Sequence, residues 1–153
     1  MNNSRLNTMG LKLSNLSIGC EPLGNTDWGF VDIPEAKFAI NEAFEYGINT
    51  FDIADVYGLG QGEKELSMAL GKHRHDSFII SKFGVRWKGD GVTSRAITYI
   101  DNSPDYVNSA LENSLRRLRL EIIPLYLIHW PDNKSNIFET LNILEKARKD
   151  GKI

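Results

Sequence analysis

The sequence predicts an α/β chain of successive βα units around a parallel sheet, and three observations carry that expectation. Short apolar runs alternate with longer segments whose apolar residues recur at helical spacing, the pattern of strands joined by crossover helices. Two of the runs, 77–84 (SFIISKFG) and 122–130 (IIPLYLIHW), are almost continuously apolar, as strands covered on both faces are. Gly47, Gly71 and Gly151 each stand just past a helical segment, where a residue free to turn left-handed closes a helix.

After a polar start, 8–15 (TMGLKLSN) predicts a small hairpin and 16–20 (LSIGC) a first strand. Asp32 and Glu35 then stand at capping-box spacing with Pro34 in the first turn, and Ala36, Ala39, Ile40, Ala43 and Phe44 form one apolar stripe. A second strand over 48–54 (INTFDIA) leads through a glycine-rich loop at 58–62 into a short helix, and 77–84 is the third strand. The stretch from about Phe83 to Asn102, which includes Trp87, predicts a long loop, and loops of that length are usually functional. Ser103, Pro104 and Asp105 open a helix with Val107, Ala110, Leu111, Ser114, Leu115 and Leu118 facing inward. The fourth strand, 122–130, precedes a helix with Phe138, Leu141, Leu144 and Ala147 inside, and Lys152 and Ile153 look like the opening of a fifth strand.

Composition excludes several function classes. A chain of 153 residues is one domain by length and large enough for a real core. With 18 basic and 20 acidic residues the formal net charge is −2, which favours neither nucleic acid nor an anionic membrane as a partner. No run approaches the ~18 consecutive apolar residues of a membrane span, and the first twenty residues have no signal-peptide pattern, so a cytoplasmic protein is expected. The single cysteine, Cys20, allows no internal disulfide and reads as a small buried or loop residue. His73 and His75 lack a Cys or carboxylate cluster at ligand spacing, so no metal is expected. Arg116, Arg117 and Arg119 read as a solvated face near a helix C-terminus. The glycines of 57–63 (YGLGQGE) fit neither G-x-G-x-x-G nor the Walker pattern, and read as a turn into the next helix.

Four residues at or just past strand ends carry the chemistry: Asp52 and Tyr57 in FDIADVYG (51–58), Lys82 in IISKFG (79–84) and His129 in LYLIHWPD (125–132). Reducing a carbonyl needs a hydride at carbon and a proton at oxygen. A tyrosine can give the proton when an ammonium beside it favours the phenolate, and a carboxylate keeps that ammonium charged and aimed. Lys82 and Asp52 suit those two roles, and an imidazole such as His129 can hydrogen-bond the substrate oxygen.

These segments resemble those of the aldo-keto reductases from about Met9 to Ile153. The resemblance implies half of a (β/α)8 TIM-type barrel, about four βα units with an N-terminal hairpin, residues 1–153 forming the N-terminal half-barrel domain. It implies a catalytic tetrad of Asp52, Tyr57, Lys82 and His129, with Asp52 also reaching the cofactor, and Trp28, Trp87 and Trp130 as candidates to line a substrate pocket. It further implies reduction of a small aldehyde or ketone with NADPH, NADH being the alternative. Ile53, Gly62 and Pro124 depart from the family pattern, none of them at a reacting group. Three readings stay open: part of an active reductase, a catalytically silent half-barrel, or a half-barrel that associates through its open sheet edges as an assembly or regulatory module.

Overall fold

A computed structural model of the chain describes residues 13–26, 29–89 and 96–153. Four strands, β1 (Ser17–Gly19), β2 (Thr50–Asp52), β3 (Phe78–Phe83) and β6 (Leu125–Ile128), form one parallel sheet in the order β1-β2-β3-β6. Helices α1 (Ile33–Glu45), α2 (Gln61–Leu70), α3 (Pro104–Leu118) and α4 (Ile137–Lys149) alternate with them. This is the expected α/β partial barrel. The expected hairpin over 8–15 lies mostly outside the described residues.

Local chemistry sets the helix ends. The Asp32 carboxylate accepts from the Glu35 amide at 3.0 Å and caps α1. At the other end the Ile48 and Gly47 amides return to the Ala43 and Phe44 carbonyls, with Gly47 at φ 84°, a Schellman closure. The expected inward face of α3 is buried at all six positions, Val107, Ala110, Leu111, Ser114, Leu115 and Leu118. Ser103 starts that helix, but its hydroxyl turns back to Asp101 at 2.6 Å instead of capping forward.

Register divides the sheet into two unlike faces. Asp52 aligns with Ile80 and Ile80 with Leu125, while Lys82 aligns with Leu127. Because side chains alternate, these five share one face, and Phe51, Ile79, Ser81, Phe83 and Tyr126 share the other. The second face is buried under the helices. The first is not: Leu125 and Leu127 are each 38% exposed. The apolar run of the fourth strand therefore reflects burial on only one face here, because the helices cover one side and no described element covers the other.

Three expectations are corrected. The stretch from Phe83 to Asn102 is no structureless loop, since β4 (Val85–Lys88) and β5 (Ile97–Ile100) pair antiparallel as a hairpin. Its alternating short apolar residues were masked in the sequence by glycines and charges around 88–95. In α4, Phe138 and Leu141 are exposed and Thr140 and Ala147 are buried, because α3 flanks only one side of that helix. Ala39 likewise points outward from α1.

Gly24 and Gly58 stand back to back. A Cβ on Gly58 would lie 2.3 Å from the Gly24 carbonyl oxygen, and Gly58 itself has φ 58°. Gly58→Ala is therefore expected to cost about 3 kcal/mol or more in chemical denaturation. Gly47→Ala, with φ 84° but nothing within 4 Å, should cost about 1–2 kcal/mol.

Candidate active site at the strand ends

Each rim residue is held by backbone bonds that continue a ladder past a strand. Beyond β2, the Ile53 and Asp55 amides donate to the Ile80 and Lys82 carbonyls at 2.9 and 3.2 Å. The Cys20 amide meets the Asp52 carbonyl at 2.8 Å, tying the end of β1 to the same level. A turn closed by the Tyr57 amide on the Ala54 carbonyl then leads into the short 3-10 segment Tyr57–Gly60, which rests on the 3-10 turn Glu21–Gly24 through the two apposed glycines. Past β6, the His129 amide donates to the Phe83 carbonyl at 2.7 Å.

The four side chains named from sequence come together at this rim. Lys82 Nζ donates to Asp52 Oδ1 at 2.5 Å and to the Ile53 carbonyl at 2.9 Å. Its side chain is 14% exposed and that of Asp52 35%. The same ammonium lies 5.3 Å from the centre of the Tyr57 ring, within cation–π range. The Tyr57 and His129 rings meet edge to face with centroids 5.8 Å apart and planes at 86°.

Protonation at the rim differs from expectation in one respect. Lys82 was expected to draw the Tyr57 pKa down, yet burial, followed by the negative charges of Glu21 and Asp52, pushes the phenol up to about 12. The ammonium faces the ring and gives two of its three donors to Asp52 and Ile53, while burial and the nearby carboxylates keep the hydroxyl protonated. His129 is lowered from its ordinary value, first by burial and then by the Lys82 charge, and its Nδ1 is buried without a partner. A neutral imidazole at neutral pH follows. Burial likewise pushes the Cys20 thiol up to about 12, which leaves it inert.

The tryptophans separate. Trp130 stacks on His129 with centroids 6.2 Å apart and is 58% exposed at the rim. Trp87 instead lies on β4, where with Asp55, Tyr106 and Arg117 it lines a cavity between the hairpin and α3 that contains none of the four rim side chains. Trp28 lies outside the described residues.

Supporting residues went unread in the sequence. Arg117 is no member of a solvated face: its Nε donates to Glu63 Oε2 at 2.6 Å, and Glu63 has no exposed surface. Ser81 Oγ donates to the other Glu63 oxygen at 2.7 Å. The signal was present, since Glu63 falls on the same helical stripe as Leu66 and Leu70, and Arg117 lies one turn past Ser114. Asn102 and Asp132 brace the turn after His129: Asn102 donates its side-chain amide to the Trp130 carbonyl at 3.0 Å and its backbone amide to Asp132 at 2.8 Å. Among the described residues no group of three or more His, Cys, Asp or Glu is placed to hold a metal ion, and no helix is long and apolar enough to cross a membrane.

The family model described as Aldo/keto reductase family matches residues 15–153. The chain belongs to that family. It is 34% identical over its whole length to the uncharacterized oxidoreductase YqkF of Bacillus subtilis, covering 47% of that protein. It is 29% identical to the NADH-specific methylglyoxal reductase of Escherichia coli, with 97% of this chain and 48% of that one aligned. Among solved structures, the glycerol dehydrogenase AKR11B4 from Gluconobacter oxydans superposes with a TM-score of 0.89 at 34% identity, over 99% of this chain and 46% of that one. The chain thus spans about half the length of the curated relatives it matches.

Two outcomes are expected. Arg117→Leu leaves a carboxylate without its ion-pair partner in a dry interior and should cost about 3–5 kcal/mol in denaturant titrations. In NMR titrations, Lys82→Met should raise the His129 pKa above that of the unsubstituted chain, because it removes a positive charge and frees Asp52 to act on the imidazolium.

Proposed function

We propose that this chain carries the proton-transfer half of an NAD(P)H-dependent reductase that converts a small aldehyde or ketone to an alcohol. The observation that carries the reading is the convergence of Asp52, Tyr57, Lys82 and His129, with the lysine clamped between a carboxylate and a carbonyl beneath the tyrosine ring. In this reading Tyr57 is the acid. A phenol held near 12 is fully protonated at neutral pH, so the donor is always loaded. As the proton leaves, the partly buried ammonium of Lys82 stabilises the phenolate in this reading by turning its remaining N–H toward it, while Asp52 and the Ile53 carbonyl hold the ammonium in place. Neutral His129, edge-on to Tyr57, orients the substrate oxygen, and the exposed indole of Trp130 beside it offers an apolar wall to the substrate.

The nicotinamide cofactor, when bound, supplies the hydride. Asp52, a third exposed on the otherwise bare sheet face, is the residue of this chain best placed to meet its nicotinamide end. NADPH is the family expectation and NADH the alternative, which the NADH-specific relative keeps open. That relative's methylglyoxal and the glycerol of the structural neighbour favour a small polar carbonyl compound as substrate. We place residues 1–153 as the N-terminal half of the barrel, in the cytoplasm.

A second reading rests on the uncovered sheet face. Leu125 and Leu127, exposed on a sheet whose outer strands β1 and β6 pair with no further strand among the described residues, favour closure by a second four-stranded half, and a second copy of this chain supplies four parallel strands toward the eight a barrel needs. Analytical ultracentrifugation of the 153-residue chain tests this, and a stable monomer at all concentrations rejects it.

In a complete barrel, Tyr57→Phe should lower kcat by about 10²–10⁴ while leaving NAD(P)H affinity within about twofold. Steady-state turnover and fluorescence titration of the cofactor check both halves, and turnover close to that of the parent would reject Tyr57 as the acid.

A further inference from the structure

Asp55 stands between Asp52 and Tyr57, yet its carboxyl points away from the rim. It is 1% exposed, and its amide already bonds the Lys82 carbonyl. The Tyr106 hydroxyl lies 3.1 Å from Asp55 Oδ2 and also 3.1 Å from the Val85 carbonyl at the base of the β4–β5 hairpin. A phenol has one proton to donate, and here it faces two oxygens that both accept when the carboxyl is ionised. Asp55 Oδ1 is buried with no hydrogen-bond partner, and the adjoining Val56 amide favours its anion only weakly. An ionised carboxylate so placed leaves a charged oxygen unsolvated, whereas the carbonyl oxygen of a neutral acid tolerates the same place far better.

We propose that Asp55 is a neutral carboxylic acid that donates to the Tyr106 hydroxyl, which in turn donates to the Val85 carbonyl, making Asp55 a positioning residue that joins the loop bearing Tyr57 to the hairpin bearing Trp87. Each proton then has one acceptor and no anion is stranded. Among the groups around it Arg117 favours the anion and Glu63 opposes it, and burial tips the balance to the acid. Glu63 on α2 opposes a second negative charge, Arg117 and Tyr106 face the group from α3, Tyr126 from β6, and Arg86 on β4 lines the same cavity but is engaged by Asp101. Burial first, and then Glu63, raise the carboxyl to about 7.

Asp55 is also a pH sensor of the joint. Its folded value lies above the ordinary carboxyl value of 3.8, so its contribution to stability is fully present below about 4, is lost as pH climbs toward 7, and is flat above that. None of this depends on turnover, so the test is independent of the reductase reading. Infrared spectra of the folded 153-residue chain at about pH 6 should show the carbonyl stretch of a buried protonated carboxylic acid, absent from Asp55→Asn. Asp55→Asn, whose amide can still donate to Tyr106, should keep the parent circular dichroism. Its melting temperature minus that of the parent should grow from about pH 4 to 7 and then level off. Tyr106→Phe should retain the band but move it to higher frequency, and this variant carries the test if Asp55→Asn does not fold. A folded parent without the band, or a band unmoved by Tyr106→Phe, overturns the proposal.

Discussion

Glu63 has no exposed surface, and the mutual placement of β3, α2 and α3 follows from satisfying its two oxygens. Ser81 reaches one from the strand and Arg117 the other from the helix, so three elements distant in sequence meet at a single carboxylate. A carboxylate out of water is strongly disfavoured unless it is paired and hydrogen-bonded, which makes any rearrangement of these elements costly. Ser81 immediately precedes Lys82. The outward grip on one side chain of β3 thereby fixes the inward direction of the next, and the rim inherits its geometry from a polar contact on the opposite face of the sheet.

That inheritance explains the division of labour at the rim. Lys82 is tied to Asp52 and to the Ile53 carbonyl, so its charge is stationary and lies under the Tyr57 ring. Tyr57 keeps its proton because it is partly buried among negative charges, and His129 stays neutral because burial and Lys82 act against the imidazolium together. The Lys82 charge acts on the imidazole, whereas burial and then the carboxylates of Glu21 and Asp52 set the phenol. In the joint proposed behind the rim, Asp55 retains its proton below about pH 7 and so avoids a second anion beside Glu63.

The two faces of the sheet set the limits of the described structure. Helices cover Phe51, Ile79, Phe83 and Tyr126, and that face supplies the core. Along the other face, apolar side chains from β6 meet solvent beside the polar rim. A face of this kind is stable in water only with a covering layer, and the closed barrel proposed above would supply one.

The periodicity of residues 104–118 and the capping chemistry at Asp32 and Gly47 were legible without coordinates, because helix phase and helix ends are set by contacts within a few residues. The meeting of Asp52, Tyr57, Lys82 and His129 at one rim was also legible, since each falls at or just past the end of a recognisable strand. The hairpin at 85–100 was not, because its pairing is fixed across a connection whose glycines and charges resemble a loop. Arg117 read as solvated for a related reason: a charged residue declares itself buried only when its partner is known, and Glu63 lies 54 residues away. The pKa directions of Tyr57 and Asp55 were likewise undetermined by order along the chain. They depend on how much water the fold removes and on which charges it sets nearby, and both quantities exist only once the chain is packed.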